Sequence, residues 1–322
     1  MKLIDNYDGL LLDLDGVVYR GKQPIRDAIE TIGKLQSKMP IGYVTNNASR
    51  TQTQIAQQLR GYGIELDPEQ VISSAMAGAE MLSEKVTGKV LVIGGEGLRD
   101  AVRKHGFELV DSADDAPDAV IQGFSPEVGW KDLAEASYAI NNGALWLATN
   151  QDWTIPLERG IAPGNGTLVS AVHTAVGHLP EFAGKPARRI FDTAKNQLGT
   201  KKPLFIGDRV DTDILGANNA EIDSALVFTG VATGKEAISA TKENRPTYLI
   251  ESVAEVLAKY KAPKKTKYGY KVGGAQVELL GNKVRLINSG SRIDVLRAAC
   301  SVVWGSETAI YGLDVQKDLY WE

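Results

Sequence analysis

Short apolar runs, each followed by polar residues and then by an amphipathic segment, recur along most of this chain. The first run covers residues 7–15, is apolar at consecutive positions, and predicts a strand that is buried on both faces. The segment after it has apolar residues at helical spacing: Ile25, Ala28, Ile29, Ile32 and Leu35. Repeated alternation of strand and helix predicts an α/β fold with a parallel sheet and right-handed crossovers.

The same pattern defines further elements and groups them. It predicts strands at residues 41–44, 71–75, 90–93, 119–121, 144–149, 203–206, 224–228 and 247–250. It predicts helices from residue 24 to 35 and at residues 51–60, 130–140, 167–176, 188–198, 212–219 and 253–260, with two more ending near residues 85 and 105. We expect a core formed by residues 1–86 and 180–261, with a second α/β block, residues 87–179, inserted between its two parts.

The last 60 residues have a different pattern. Residues 261–267 are basic and contain a proline, which predicts a linker. Residues 275–280 and 283–287 alternate like two strands around Gly281-Asn282, a hairpin signal. A helix at 291–304 and a strand at 308–313 would complete a small C-terminal α+β extension, residues 262–322.

The composition narrows the classes of function that we expect for this chain. The net charge is −4 and the basic residues are scattered, which argues against nucleic acid as a partner. No apolar run has membrane-spanning length or the pattern of a signal peptide, so a cytoplasmic enzyme is the expectation. Cys300 is the single cysteine, which excludes a disulfide framework and a cysteine-based zinc site. The oligomeric state is left open.

The first predicted strand ends in two acidic residues. Asp13 and Asp15 are spaced i, i+2 and are followed by Gly16, so both side chains point the same way where the strand opens into a loop. Open parallel sheets bind ligands beyond the carboxyl ends of their strands. Two carboxylates there indicate a divalent metal and chemistry on an anion.

Three further segments follow the same strand-then-polar pattern or precede a helix. They carry the following polar residues: Thr45, Asn46, Asn47, Lys185, Asp208 and Asp213. If their strands are neighbours, these side chains converge on one pocket. Carboxylates without His or Cys suit Mg²⁺, and a lone lysine suits a phosphate group. Phosphoryl transfer needs such charge neutralisation together with a nucleophile, which a carboxylate can supply, and a second carboxylate can transfer the proton.

These segments, in order, resemble the four signature motifs of the haloacid dehalogenase superfamily. The motifs are Asp13-Leu14-Asp15-Gly16-Val17, Thr45-Asn46-Asn47, Lys185-Pro186 and Gly207-Asp208-x4-Asp213. The inserted block is similar to the α/β cap of the NagD and p-nitrophenylphosphatase-like branch, with residues 148–166 resembling its signature. The resemblance implies a Rossmann-like core with an inserted cap over about residues 5–260.

The resemblance also implies roles. Asp13 would be the nucleophile and a metal ligand, and Asp15 the general acid/base and a ligand through its backbone carbonyl. Asp208 would be the third Mg²⁺ ligand, and Asp213 would support the ligands from behind.

Thr45, Asn46 and Asn47 would contact phosphate, and Lys185 would order the nucleophile and the phosphoryl group. Specificity would come from residues of the cap: Asn150, Asp152, Trp153 and Arg159. For Trp153 the choice between contacting the leaving group and packing the cap stays open.

The resulting expectation is a Mg²⁺-dependent phosphatase of a small phosphorylated metabolite. A core, cap and short extension of this kind is similar to actinobacterial glycerol 3-phosphate phosphatases, so glycerol 3-phosphate is the preferred substrate. Pyridoxal phosphate, phosphoglycolate and nucleoside monophosphates are alternatives. A phosphotransferase and a catalytically idle binding protein with the same fold are rivals from other classes.

Overall fold

Strands and helices alternate along most of the chain, as the hydrophobic pattern predicts. The structure is a computed structural model, and it describes residues 1–157 and 159–322. The strands are β1 (Gly9–Leu12), β2 (Tyr19–Arg20), β3 (Gln23–Pro24), β4 (Ile41–Thr45), β5 (Val71–Ser73), β6 (Lys89–Ile93), β7 (Glu108–Val110), β8 (Ala119–Gln122), β9 (Leu145–Ala148), β10 (Thr154–Leu157), β11 (Gly160–Pro163), β12 (Glu181–Phe182), β13 (Pro203–Gly207), β14 (Ser224–Val227), β15 (Tyr248–Ile250), β16 (Lys264–Lys265), β17 (Gly269–Val272), β18 (Ala275–Leu280), β19 (Lys283–Asn288) and β20 (Asp314–Val315). The helices are α1 (Arg26–Leu35), α2 (Gln52–Gly61), α3 (Ser74–Ser83), α4 (Glu96–Lys104), α5 (Trp130–Asn141), α6 (Asn165–Val176), α7 (Arg189–Leu198), α8 (Leu215–Asn219), α9 (Gly234–Ser239) and α10 (Arg292–Trp304).

The chain divides into two compact units. The first unit contains residues 1–39 and 202–322, and the second contains residues 40–201. The boundaries predicted from the sequence for core, cap and extension stay a prediction. Among the described residues, every helix is too short or too polar to cross a membrane.

The first unit is built on parallel strands. Strands β1, β13, β14 and β15 pair in parallel in the spatial order β15-β14-β13-β1, and every residue of β1, β13 and β14 is buried. The Asp13 backbone N–H donates to the Ile206 carbonyl at 2.9 Å, which extends the pairing of β1 with β13 by one residue. Asp13 therefore leaves the sheet at the carboxyl end of β1, next to the end of β13. The parallel α/β fold expected from the pattern is confirmed.

The C-terminal extension is a five-stranded sheet packed on α10. Its strand order is β16-β17-β18-β19-β20, and the β18–β19 hairpin turns at Gly281 with a positive φ of 64°, as the sequence signal predicts. Val277 and Leu296 of the extension share one buried cluster with Leu226 and Leu249 of the parallel sheet. The extension and the parallel sheet therefore have a common core.

A buried arginine joins α10 to the parallel sheet. Arg297 Nε and Nη2 donate to the Leu249 carbonyl at 2.9 and 2.6 Å, and Nη2 pairs with Glu255 at 2.6 Å. Its Nη1 also lies 3.3 Å from Asp294, which pairs with Lys261 at 2.8 Å. A buried charge needs such complete pairing, so this network holds α10 in one position on the sheet.

Three predictions at the end of the chain are wrong. The expected linker contains β16, which pairs with β17, a strand that the pattern missed. The expected helix at 253–260 is a 3₁₀ turn at Val253–Leu257, and the expected strand at 308–313 is a 3₁₀ turn at Ile310–Gly312 followed by β20. These segments are short and irregular, and tertiary packing decides their conformation more than periodicity does.

The second unit contains a parallel five-stranded sheet and a two-stranded parallel pair. The sheet has the order β12-β9-β8-β6-β7 and is buried against α5 and α6, and β4 pairs in parallel with β5. An antiparallel hairpin, β10–β11, was missed by the pattern and exposes Leu157 and Ile161. Its exposed apolar residues give no alternation from which strands could be recognised.

Candidate active site

Three buried carboxylates meet at the carboxyl ends of the parallel strands of the first unit. Asp13 follows β1, Asp208 follows β13, and Asp213 lies in the turn after it. Each offers a carboxylate oxygen, and these oxygens lie within 4.8 Å of one another. The side chains are at most 9% exposed. The structure thus brings together three of the four acids that the sequence predicted for this end of the sheet.

Asp213 fixes the loop that carries Asp208. Its Oδ2 accepts hydrogen bonds from the backbone N–H groups of Asp208 at 3.0 Å and Arg209 at 3.1 Å. The turn Val210–Ile214 has π-helical hydrogen bonding, a rare local form that is frequent at functional sites. A side chain at Gly207 would overlap Asp213, so glycine is required there. Asp213 has the geometry of a residue that positions Asp208.

Asp208 is held on its other side by a loop that the sequence analysis missed. The Val231 N–H donates to Asp208 Oδ2 at 2.7 Å, and the Ala232 N–H donates to the Asp208 carbonyl at 3.0 Å. A Cβ on either Gly16 or Gly230 would overlap the Asp208 carboxylate. The carboxylate is therefore enclosed between two glycine backbones. The sequence signal that was missed is Gly230, a glycine shortly after the end of strand β14. Position after a strand end is the criterion that found other segments of the site.

Asp15 differs from the three clustered acids. Its side chain is exposed, and its Oδ1 accepts from the Gly21 N–H at 3.2 Å, within the turn between β2 and β3. An exposed carboxylate two residues from Asp13 can exchange protons with solvent. This environment suits a proton-transfer role better than a buried ligand role for its side chain.

Asp211 is an acid near this cluster with a separate partner. Its carboxylate accepts two hydrogen bonds from the Arg209 guanidinium, at 3.2 and 3.0 Å. Burial raises the pKa of Asp211, but hydrogen bonding and charge from Arg209 outweigh it, so the pKa lies below its usual value. Asp211 is thus a charged partner of Arg209 at the start of the turn.

The donor set of the cluster fits a hard divalent cation. Three like charges within 4.8 Å of one another repel, and a cation among them relieves that repulsion. Carboxylate oxygens without nitrogen or sulfur ligands suit Mg²⁺. Because Asp213 Oδ2 already accepts two backbone hydrogen bonds, Asp13 and Asp208 are the side chains best placed to be ligands.

In the second unit, Asn46 organises the polar loop after β4. Its Oδ1 accepts from the Lys185 N–H at 2.8 Å, and its Nδ2 donates to the Lys185 carbonyl at 3.0 Å. The same Nδ2 lies 3.1 and 3.2 Å from the Asp152 carboxylate oxygens. The Asn46 side chain is therefore used to hold the backbone of Lys185, whereas the sequence analysis assigned it to phosphate.

Thr45 and Asn47 shape the same loop. Thr45 Oγ1 accepts from the Asn47 N–H at 3.1 Å. Asn47 Oδ1 accepts from the N–H groups of Ser49 and Arg50, both at 3.1 Å, which is an Asx-type turn. These bonds pre-organise a loop whose predicted partner is an anion.

Lys185 is 3% exposed, which is rare for lysine. Its Nζ donates to the Val44 carbonyl at 3.3 Å, and its peptide bond to Pro186 is cis. A Cβ on Gly184 would lie 2.6 Å from Asn46 Oδ1, so glycine is needed for this close approach. The lysine is thus placed by the loop of Asn46.

The four predicted cap residues separate into two pairs. Asn150 is 4% exposed and donates from Nδ2 to the Asn46 carbonyl at 2.8 Å, and Asp152 contacts the Asn46 amide. Both therefore serve the Asn46 network. Trp153 is 65% exposed and Arg159 is exposed in the turn of the β10–β11 hairpin. The exposure of Trp153 disfavours the reading that it only packs the cap.

The sequence analysis missed two further supports of the network. Ser74 Oγ donates to the Asn46 carbonyl at 2.7 Å, and Asn165 Nδ2 donates to the Asn150 carbonyl at 2.8 Å. Ser74 begins helix α3 and Asn165 begins α6. Asn165 lies within residues 148–166, which resemble the cap signature, but it was not assigned a contact; Ser74 had no such signal, because polar residues at helix starts are common caps.

Comparison with known proteins identifies the family of this chain. A family model of haloacid dehalogenase-like hydrolases matches residues 10–108, and a HAD-hydrolase-like model matches residues 182–256. A D-glycerol 3-phosphate phosphatase of Mycobacterium tuberculosis is 38% identical over 319 residues, 95% of this chain and 88% of that protein. A 5′-nucleotidase of Bacillus subtilis is 39% identical over 253 residues, 77% of this chain and 97% of that protein.

A solved structure is similar over the whole fold. The crystal structure of a glycerol phosphate phosphatase from Mycobacterium tuberculosis in complex with magnesium has a TM-score of 0.89 and 36% identity, covering 98% of this chain and 94% of that chain. The chain belongs to the haloacid dehalogenase-like hydrolase family. Within that family it is a phosphatase, that is, a hydrolase of phosphoric monoesters.

Proposed function

We propose that this enzyme is a Mg²⁺-dependent phosphatase of a small phosphorylated metabolite, with glycerol 3-phosphate as its substrate. The cluster of Asp13, Asp208 and Asp213 is the observation that carries the proposal, because it combines a nucleophile with a divalent-cation site. The magnesium in the similar solved structure supports the choice of metal. When bound, Mg²⁺ would neutralise charge on the phosphoryl oxygens, and Asp13, Asp208 and the Asp15 carbonyl would hold it.

The reaction follows from two acids with different surroundings. An Asp13 carboxylate oxygen attacks phosphorus, the bond from phosphorus to the ester oxygen breaks, and Asp15 gives its proton to the leaving oxygen. Asp15 then takes a proton from water, which attacks phosphorus and releases inorganic phosphate and free Asp13. The buried Asp13 suits the first role and the exposed Asp15 suits the second.

The remaining predicted roles belong to the second unit. We propose that Thr45 and Lys185 bind the phosphoryl group, with Asn46 and Asn47 holding their loop. Lysine suits this role because its ammonium is a compact positive charge with three donors. Trp153 and Arg159 are proposed to contact the leaving group, because both are exposed to solvent and Trp153 directly follows Asp152 of the Asn46 network.

The choice of glycerol 3-phosphate rests on the C-terminal extension. The Mycobacterium tuberculosis phosphatase aligns with 95% of this chain, whereas the Bacillus subtilis 5′-nucleotidase aligns with 77%. An alignment over 253 of 322 residues leaves a stretch about as long as the extension without a counterpart. A nucleoside monophosphate is the second candidate substrate, because that nucleotidase is equally similar over the part it shares.

The test of the chemistry compares the wild type with Asp13→Asn, assayed with p-nitrophenyl phosphate and Mg²⁺. We expect hydrolysis in the wild type and a loss of about a thousandfold or more in the variant, because the amide cannot act as nucleophile. Part of the Mg²⁺ binding should survive in Asp13→Asn. A wild type without Mg²⁺-dependent hydrolysis would contradict the proposal.

The test of the substrate compares kcat/KM at fixed Mg²⁺ for glycerol 3-phosphate, pyridoxal phosphate, phosphoglycolate and nucleoside monophosphates. The highest value should belong to glycerol 3-phosphate, and a nucleotide with a higher value would replace it. Adding a sugar acceptor distinguishes a phosphotransferase, which would place phosphate on the acceptor instead of releasing it.

A further inference from the structure

One loop of the first unit contacts Asp208 through its central residues. The two ends of the same loop contact the last residues of the chain. We define the Asp208 loop as residues 228–234. Its centre donates from Val231 to Asp208 Oδ2 at 2.7 Å, and Thr229 Oγ1 donates to the Gly16 carbonyl at 2.6 Å. The loop therefore borders both the proposed ligand Asp208 and the glycine after Asp15.

The last residues of the chain contact both ends of this loop. At the first end, the rings of Phe228 and Trp321 pack edge to face with centroids 4.9 Å apart. At the second end, the Lys235 N–H donates to the Trp321 carbonyl at 3.0 Å, and a Cβ on Gly234 would lie 2.9 Å from the indole. One tryptophan thus spans the two ends of the Asp208 loop.

Trp321 is itself held by the extension. The Arg292 guanidinium at the start of α10 lies 3.6 Å from the centre of the Trp321 ring, a cation–π contact. Helix α10 is tied to β15 through buried Arg297, so the position of Arg292 is defined. The Lys235–Glu322 ion pair beside it is exposed and contributes little. The indole is therefore the side chain through which the C-terminus connects the loop with α10.

We propose that Trp321 is a positioning residue for the Mg²⁺ site, acting through the Asp208 loop on the orientation of the Asp208 carboxylate. This inference rests on the proposed function, since it assumes that Asp208 is a ligand. Partners that orient a ligand from outside the coordination sphere change metal affinity when they are altered. The C-terminal extension then helps to position a metal ligand, although none of the proposed ligands lies in the extension.

The experiment measures Mg²⁺ binding to the full-length chain by isothermal titration calorimetry, together with unfolding in urea without Mg²⁺. In Trp321→Ala the dissociation constant should rise about three- to tenfold, below the 10- to 100-fold typical of direct partners of a ligand. Trp321→Phe keeps an aromatic ring against Phe228 and Arg292 and should stay close to the wild type. In Gly234→Ala the added methyl group would displace the indole from the loop, so the dissociation constant for Mg²⁺ should rise as it does in Trp321→Ala.

Val277→Ala is the matched control, because Val277 is fully buried on β18, which pairs with β17 and β19 in the sheet of the extension. It should lower the free energy of unfolding without changing Mg²⁺ affinity. If Val277→Ala weakens Mg²⁺ binding as much as Trp321→Ala, or if Trp321→Ala binds as the wild type does, the inference is wrong.

Asp208→Asn separates the two proposals. A wild type that fails to bind Mg²⁺ overturns the proposed function. Binding that is lost in Asp208→Asn but unchanged in Trp321→Ala overturns this inference alone.

Discussion

The carboxylate cluster of the first unit and the Asn46 network of the second show two ways of placing polar groups in a protein interior. The cluster gathers charges of one sign within 4.8 Å, whereas the network pairs the donors and acceptors of one amide with one backbone segment. The first arrangement gains stability from a cation, and the second is complete without one. Their response to Mg²⁺ should therefore differ.

The largest effect is expected from closing the space around Asp208. In Gly230→Ala the new methyl group would overlap the Asp208 carboxylate, so Mg²⁺ affinity and activity should fall by about a hundredfold. Gly33→Ala in α1 is the matched control, because a Cβ there meets nothing within 4 Å. Calorimetric titration with Mg²⁺ measures the effect, and unchanged affinity in Gly230→Ala would contradict the account of the enclosed carboxylate.

The next effect concerns the stability of the network. In Asn46→Ala the Lys185 backbone loses a donor and an acceptor, so the free energy of unfolding should fall by about 2 kcal/mol. The loss should be the same with and without Mg²⁺. Exposed Asn142→Ala serves as the control and should change stability by less than about 0.5 kcal/mol. A loss that appears only with Mg²⁺ would remove the distinction between the two regions.

The cluster should respond to Mg²⁺. Asp208 is one of the two side chains best placed to be ligands, and Asp208→Asn replaces its carboxylate with an amide. Added Mg²⁺ should raise the melting temperature of the wild type and leave that of the variant unchanged. Thermal unfolding with and without Mg²⁺ measures this, with exposed Asp114→Asn as the control. A variant whose melting temperature rises with Mg²⁺ as much as that of the wild type would contradict the assignment of Asp208 as a ligand.

The smallest effect is expected at the edge of the network. Asn47→Ala removes the acceptor of the Ser49 and Arg50 N–H groups and should cost about 1 kcal/mol of stability at any Mg²⁺ concentration. Asn47→Asp keeps an acceptor oxygen at the same position and should cost less. Equal losses in the two variants, measured by urea unfolding, would indicate that these hydrogen bonds do not hold the loop.

Much of the fold was predictable because the spacing of apolar residues along the chain reflects directly which side chains are buried. Strand β1 is a continuous apolar run and is buried on both faces, and the β18–β19 hairpin follows its Gly-Asn turn. Predictions failed where elements are short: β16 lies in a basic segment, and β10–β11 exposes apolar residues to solvent. In those segments, the conformation is decided by pairing with a neighbouring strand. The sequence of one segment does not show which other segment it will pair with.

The candidate site was predictable in its residues and less so in its contacts. Asp13 and Asp208 were found because each ends a buried strand, a position where an acid is unusual without a function. The Asn46 side chain was assigned to phosphate, yet its amide holds Lys185. An amide is as suitable for a backbone segment as for an anion, so residue type alone could not decide its partner.

The sequence by itself determined which residues are candidates for the chemistry and in what order the elements come. Side-chain type sets acidity, charge and ligand preference, and periodicity sets which segments are strands or helices, and both are local properties of the chain. The tertiary structure alone decided that Val231 holds the Asp208 carboxylate and that Trp321, 113 positions beyond Asp208, contacts both ends of that loop. Such contacts join residues that are distant in sequence, and only the packing of the folded chain brings them within hydrogen-bonding or van der Waals distance.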